Sequence, residues 1–194
     1  DNARESLEAS CNASGSQGSP ANWKIDETQE HELQCWAEAK GVWIPNSEQM
    51  LCQSFGDKIA EGAEAKVYYK TGDTHVVKLR TSIYATLGRG LEAIALHNAL
   101  FPETIMRIVG FTRDDDELFR IILTQPYIEC QRLASKEEID NMVVSKGFQD
   151  NGDGKGINYI SDHLHLEDMH PANVFIEPNT GLPVCIDCIV KFRR

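Results

Sequence analysis

Between residues 57 and 79, apolar and polar positions form three short runs, Lys58-Ile59-Ala60, Lys66-Val67-Tyr68-Tyr69 and His75-Val76-Val77-Lys78-Leu79. Each is of strand length. The later two are rich in β-branched or aromatic residues, and Thr71-Gly72-Asp73 supplies the turn between them, so the pattern predicts antiparallel strands. Arg107-Ile108-Val109-Gly110-Phe111 and the run 118–124 predict another pair around the acidic turn Asp114-Asp115-Asp116. Upstream the period lengthens to that of a helix. Leu33, Trp36 and Ala37 stand at i, i+3, i+4 within 27–40, with Asp26 as a candidate N-cap and Gly41 as the stop. After Trp43-Ile44-Pro45 a second short helix is predicted over 47–53. Downstream the spacing predicts a helix over 87–100, with Leu91, Ile94, Ala95 and Asn98 on one face. Ser135-Lys136-Glu137-Glu138 fits a capping box for a further helix that runs through Ile139, Met142 and Val143 to Gly147. Two strands close the pattern, 173–176 and 182–189, joined by the turn sequence Glu177-Pro178-Asn179-Thr180-Gly181.

Composition narrows the class. A chain of 194 residues with 41% hydrophobic content is long enough to bury a sizeable core. No apolar run approaches the roughly 20 residues of a membrane span, so no membrane partner is expected. A net charge of −11 leaves no clustered Lys and Arg surface for phosphate backbones, and only Lys191, Arg193 and Arg194 stand close together, so no nucleic-acid partner is expected either. Cysteines 11, 35, 52, 130, 185 and 188 are dispersed in a chain too large to need disulfide staples, which points to free thiols and a cytoplasmic setting. Residues 1–21, with Ala13-Ser14-Gly15-Ser16-Gln17-Gly18-Ser19-Pro20, read as a flexible linker or tail joining the rest to a larger polypeptide.

The chemistry concentrates near the end of the chain. Asp168 and Asn173 stand five residues apart across a Pro-containing turn, and Asp187 follows fourteen residues later at the end of an apolar run. Phosphoryl transfer to a hydroxyl needs a carboxylate to orient the acceptor, oxygen ligands for Mg²⁺, and charge neutralisation around the phosphates. Asp168 suits the first task; Asn173 and Asp187 suit the second. A hairpin would bring Asn173 and Asp187 to one end.

The earlier strands offer the remaining parts. The small-residue loop Gly62, Ala63, Glu64, Ala65 can bring backbone N–H groups over a polyphosphate. Lys78, sixteen residues after Gly62, can direct an ammonium at those phosphates, and a solvated strand-end lysine is the plain alternative. Glu92 is a candidate ion-pair partner for Lys78, with His97 and Asn98 as rivals. Gln125-Pro126-Tyr127-Ile128 stands where a nucleotide binder needs a hinge. Pro126 has no N–H, so residues 127–129 would hydrogen-bond the adenine edge.

Two metal readings compete. Residues 150–156 suggest a calcium loop, but with Gly154 as the turn glycine Ile160 falls where a bidentate Glu is required. His163, His165 and His170 with Cys185 and Cys188 suggest zinc, yet alternation along a continuous strand would send the two cysteines to opposite faces.

In their order, Gly62 to Tyr68, Val76-Val77-Lys78, Gln125 to Ile128, Asp168 to Asn173 and Ile186-Asp187 resemble a protein-kinase-like fold over roughly residues 57–190. G-x-E-x-x-V-Y and D-x-H-P-x-N look like the atypical RIO-like and aminoglycoside-phosphotransferase-like kinases. Leu96-His97-Asn98-Ala99-Leu100-Phe101-Pro102 with Val109-Gly110-Phe111 and the hinge run resembles the small kinase domains of bacterial polyvalent proteins. The resemblance implies an α+β, two-lobed fold. Residues 22–56 form a helical support, 57–128 an N-lobe with an antiparallel sheet, and 129–194 a truncated, minimal C-lobe.

It also implies ATP and Mg²⁺. Lys78 would contact the α/β-phosphates, Asp168 would be the catalytic base, and Asn173 and Asp187 would hold the metal, with an unidentified hydroxyl as acceptor. Cys188 replaces the expected Phe, and only seven residues follow Asp187, too few for an activation segment. The alternative is a nucleotide-binding pseudokinase or interaction module without turnover.

Overall fold

A computed structural model describes residues 22–45, 48–62, 65–81 and 86–193. The chain divides into two compact units, the first holding residues up to Leu91 together with Arg107–Gln125, the second holding Glu92–Met106 and Pro126–Arg194. Both are mixed α and β with antiparallel pairing. Among the described residues no helix is long and apolar enough to cross a membrane.

The first unit is built on a five-stranded sheet. Strands β1 (Asp57–Glu61), β2 (Ala65–Tyr69), β3 (His75–Arg80), β4 (Arg107–Arg113) and β5 (Phe119–Pro126) stand in the order β1-β2-β3-β5-β4. Helices α1 (Asn22–Ala39) and α2 (Glu48–Phe55) precede them. Helix α1 starts five residues before the expected position, so Asp26 lies inside it and is not its N-cap. Side chains alternate across β2, and Tyr68 joins Val77, Leu79, Ile122 and Leu51 of α2 in one buried cluster.

At the opposite edge of the sheet the chain after α1 bridges β4 at Phe111. Ile44 N–H donates to Phe111 O at 2.9 Å and Phe111 N–H to Val42 O at 3.0 Å, which pairs both backbone groups of Phe111 on β4. A Cβ at Gly110 would meet Val42 O at 2.7 Å, so only glycine permits this approach. A charged trio is buried in the same unit: Asp114 Oδ2 lies 2.7 Å from Arg120 and 3.8 Å from Lys66.

Helix α3 (Leu87–Leu100) has the predicted bounds but not the predicted face. Leu91 and Ile94 are buried as expected, whereas Ala95 is exposed and His97 is 1% exposed. The imidazole is buried because both ring nitrogens find partners, a compensation that the apolar pattern does not reveal.

In the second unit α4 (Lys136–Ser145) carries the full capping box: Glu138 N–H donates to Ser135 Oγ at 3.3 Å and Ser135 N–H to Glu138 Oε2 at 2.8 Å. Gly147, at φ +85°, ends the turn that follows. Two small sheets complete the unit. One joins β6 (Arg132–Leu133), β10 (Val174–Ile176) and β11 (Pro183–Cys185); the other joins β7 (Gln149–Asp150), β8 (Tyr159–Ile160), β9 (Leu164–Glu167) and β12 (Ile189–Phe192). Ile139, Val143, Leu166, Met169, Val174 and Val190 pack into its core.

The strand expected over 182–189 is two strands in different sheets, interrupted at 186–188. Part of the backbone there is satisfied by nearby side chains instead of by a ladder. Cys188 N–H donates to Asp187 Oδ1 at 3.0 Å, and Cys185 Sγ lies 3.1 Å from Asp187 O. Cys185 and Cys188 are consequently buried in the same core, not sent to opposite faces.

Candidate functional site

Strand β9 leads directly into Asp168, whose φ of +65° lies in the left-handed region. A non-glycine residue there costs free energy unless its surroundings hold it, and strain of this kind gathers where a side chain must be aimed. Three sets of contacts hold it. Met169, 0% exposed, is buried in the core one residue later, and its N–H donates to Ile157 O at 2.9 Å. Asp168 N–H donates to Asn158 Oδ1 at 3.2 Å. From the far side of the turn Asn173 Nδ2 donates to Asp168 O and to Asp168 Oδ2, both at 3.0 Å.

The turn itself is a 3₁₀ helix, Pro171–Asn173, so Asn173 ends a helical turn and does not open the strand. Pro171 stands at its start, where a missing N–H is harmless and the fixed φ suits the bend. His170, just before it, places Nε2 3.5 Å from Asp168 Oδ1 and 3.2 Å from Asn173 Nδ2. The Asp168 carboxylate is thus flanked on both oxygens, yet 43% of the side chain remains exposed, enough to meet a second molecule.

The hairpin places Asp187 beside this turn in register. Val174 pairs with Cys185, and Ile186 N–H donates to Asn173 O at 2.9 Å, so Asn173 and Asp187 stand at the same end of β10–β11. Behind Asp187 lies a buried polar network. Thr104 Oγ1 donates to Cys185 O at 2.6 Å, His97 Nε2 lies 3.2 Å from Thr104 Oγ1, and His97 Nδ1 lies 3.3 Å from Cys188 Sγ. With its hydroxyl proton committed to Cys185, Thr104 accepts from His97 Nε2–H, which leaves Nδ1 to accept from the Cys188 thiol. The network ties α3 to both flanks of Asp187.

Asn173 and Asp187 fit a magnesium ion by donor chemistry. With Nδ2 turned onto Asp168, the atom of Asn173 left for a cation is the hard oxygen Oδ1, and Asp187 adds a half-buried carboxylate. No described group of three or more His, Cys, Asp or Glu is placed to hold a metal, as the zinc reading requires. In the glycine-rich loop the acidic side chains turn onto their own backbone: Asp150 Oδ1 accepts from Gly152 N–H at 2.7 Å and Asp153 Oδ1 from Lys155 N–H at 2.8 Å.

The other candidates lie partly in the first unit. Lys78 is 6% exposed and is no solvated strand-end lysine. It pairs in register with Val67, and Ala65 pairs with Arg80, so Lys78, Val67 and Ala65 share one face of the sheet, opposite the Tyr68 cluster. Gly62 N–H donates to Ala65 O at 2.9 Å across the β1–β2 connection, while Ala63 and Glu64 lie outside the described residues. Gln125 is 1% exposed at the end of β5, Tyr127 is 43% exposed, and Ile128 is half-buried. Glu92, on α3 in the second unit, is also half-buried.

Sequence reasoning missed three polar residues of this region, His97 in its bonded role, Thr104 and Asn158. None carries a motif, and each is recognisable only once its partner is brought near by folding. Asn98 is engaged at both ends by the backbone of Met106, at 2.8 and 2.7 Å.

Residues 26–194 match the model of a family described as a Serine/Threonine/Tyrosine Kinase found in polyvalent proteins, and the chain belongs to that family. A comparison with curated proteins finds no match.

Proposed function

We propose that this member of the polyvalent-protein kinase family is a phosphotransferase that moves the γ-phosphoryl group of ATP to a serine, threonine or tyrosine hydroxyl. The observation that carries the reading is the Asp168–Asn173 clamp, a half-exposed carboxylate held in a strained backbone at the end of the hairpin that bears Asp187. In the transfer the bond from the γ-phosphorus to the bridging oxygen breaks, ADP departs, and the acceptor oxygen bonds to phosphorus. Asp168 takes the acceptor proton. Its direction is set in advance by Asn173 and His170, so little reorganisation is needed when the acceptor arrives. Asn173 Oδ1 and Asp187 would hold Mg²⁺, which when bound neutralises phosphate charge.

Lys78 is assigned to the α/β-phosphates, under a loop of Gly62, Ala63, Glu64 and Ala65. Glu92 is its assigned partner, because the His97 ring nitrogens are taken up by Cys188 and Thr104. Gln125, Tyr127 and Ile128 form the adenine-reading hinge. The two-lobed arrangement belongs to this proposal, with 22–56 as support, 57–128 as N-lobe and 129–194 as minimal C-lobe. So does the role of 1–21 as a linker within a larger polypeptide in the cytoplasm.

The test is transfer of label from γ-radiolabelled Mg-ATP to a generic protein acceptor. Wild type is expected to transfer, with Lys78→Ala and Asp168→Ala each reduced about 100-fold or more. ATP binding without transfer, unchanged by Asp168→Ala, would overturn catalysis and assign a nucleotide-binding module.

A further inference from the structure

Asp168 is aimed from behind by a residue that no motif marks. The β7–β8 hairpin closes with Asn151 N–H donating to Asn158 O at 3.1 Å, and its inner end then turns toward the Asp168 turn. Two consecutive backbone donors of that turn are received there, Asp168 N–H by Asn158 Oδ1 at 3.2 Å and Met169 N–H by Ile157 O at 2.9 Å. A residue at φ +65° needs such partners, since its neighbours in sequence cannot satisfy it as a strand or helix would. The asparagine is itself fixed. Its Nδ2 donates to Asp153 Oδ2 at 2.6 Å, which dictates that Oδ1, the acceptor, faces Asp168. Asp153 is in turn locked by Lys155 N–H and by Asn151 Nδ2 at 3.1 Å. Its carboxyl is held below its ordinary value, with the Asn158 amide as the largest cause.

We propose that Asn158 is a positioning residue for phosphoryl transfer: anchored by Asp153, it holds the Asp168 backbone in the left-handed conformation that directs the carboxylate at the acceptor. The inference rests on Asp168 being the base. The 150–158 loop is therefore a buttress for the reacting carboxylate, not a loose connection.

The chain of contacts has a polarity that a charge swap can test. In Asn158→Asp the introduced carboxylate still accepts from Asp168 N–H but faces the Asp153 carboxylate with no proton between them. Adding Asp153→Asn restores a donor opposite it. Asn158→Ala and Asn158→Asp are expected to lower kcat about 10- to 100-fold with KM for ATP within about twofold, because a misaimed base affects the chemical step and not nucleotide binding. Asn158→Asp with Asp153→Asn is expected to recover most of the loss. Amide exchange at Asp168 should be faster in both single variants and return toward wild type in the double variant. Wild-type kcat in Asn158→Ala, or a double variant as slow as Asn158→Asp alone, overturns the proposal. If transfer survives Asp168→Ala the underlying reading has failed instead, while the exchange rates still report whether the Asn158 bond holds the turn. Should Asn158→Ala not fold, the charge-swapped pair decides the matter alone.

Discussion

Asn173 reaches Asp168 twice through one nitrogen, its Nδ2 lying 3.0 Å from both the carboxylate and the carbonyl oxygen. One amide thereby closes the six-residue turn from Asp168 to Asn173 and fixes the carboxylate at its start.

That double use makes Asn173→Asp informative. The substitution keeps shape and an oxygen ligand but puts a second carboxylate against Asp168 where a donor stood. Transfer is expected to fall about 100-fold or more, and stability to fall by about 1 to 3 kcal/mol through the unsatisfied acceptors. Label transfer and chemical denaturation read the two losses separately.

Thr104→Val preserves volume and removes only the hydroxyl. The Cys185 carbonyl and His97 Nε2 each lose a buried partner, at 2.6 and 3.2 Å in the wild type. Stability is expected to drop by about 1 to 3 kcal/mol. Because the network flanks Asp187, the apparent affinity for Mg²⁺ in the transfer assay should weaken as well, whereas a purely structural contact would leave it unchanged.

Asp114 is the sole described anion contacting both Lys66 and Arg120, at 3.8 and 2.7 Å, and all three are buried. Asp114→Ala strips two buried cations of their counter-charge and also removes the acceptor for Asp116 and Leu118 N–H. A loss of about 3 to 5 kcal/mol is expected in urea unfolding. Joint replacement of Asp114 and Arg120 by apolar residues should cost less than the single change.

The capping box has a pH signature. Arg132 holds the Glu138 carboxyl down from 4.5 to about 2, first through its hydrogen bond, with the Ser135 N–H second. The folded value lies below the unfolded one, so the contribution is complete above the unfolded value and is lost as pH falls from about 4.5 toward 2. NMR titration of Glu138 should find the depressed value in wild type and an upward move in Arg132→Ala.

Periodicity located most elements because they follow local rules. The helix over 87–100 begins and ends as its apolar spacing indicates, and Ser135 with Glu138 caps α4 as a box should. What the sequence could not reveal depends on contacts across the chain. Spacing offers Lys78 as a phosphate-directed or a solvent-facing lysine, and only its burial removes the second, while the partners of His97, Cys188 and Thr104, come to its ring from elsewhere in the chain. The break at 186–188 was hidden because Asp187 and Cys185 satisfy the backbone with side chains, a substitution for ladder bonds that apolar spacing does not encode. Within the candidate site, Asp168, Asn173 and Asp187 stood out by type and spacing. Their supports, Asn158 above all, did not.

The two thiols beside Asp187 give the molecule a gauge of its own. Cys185 and Cys188 are 0% and 3% exposed, whereas Cys35 and Cys130 lie open. An alkylating reagent will mark the open pair at once and the sheltered pair only when the hairpin separates from the core. The delay between the two, followed by mass spectrometry, measures how often the segment bearing Asp187 comes loose, with no substitution and no assay of turnover.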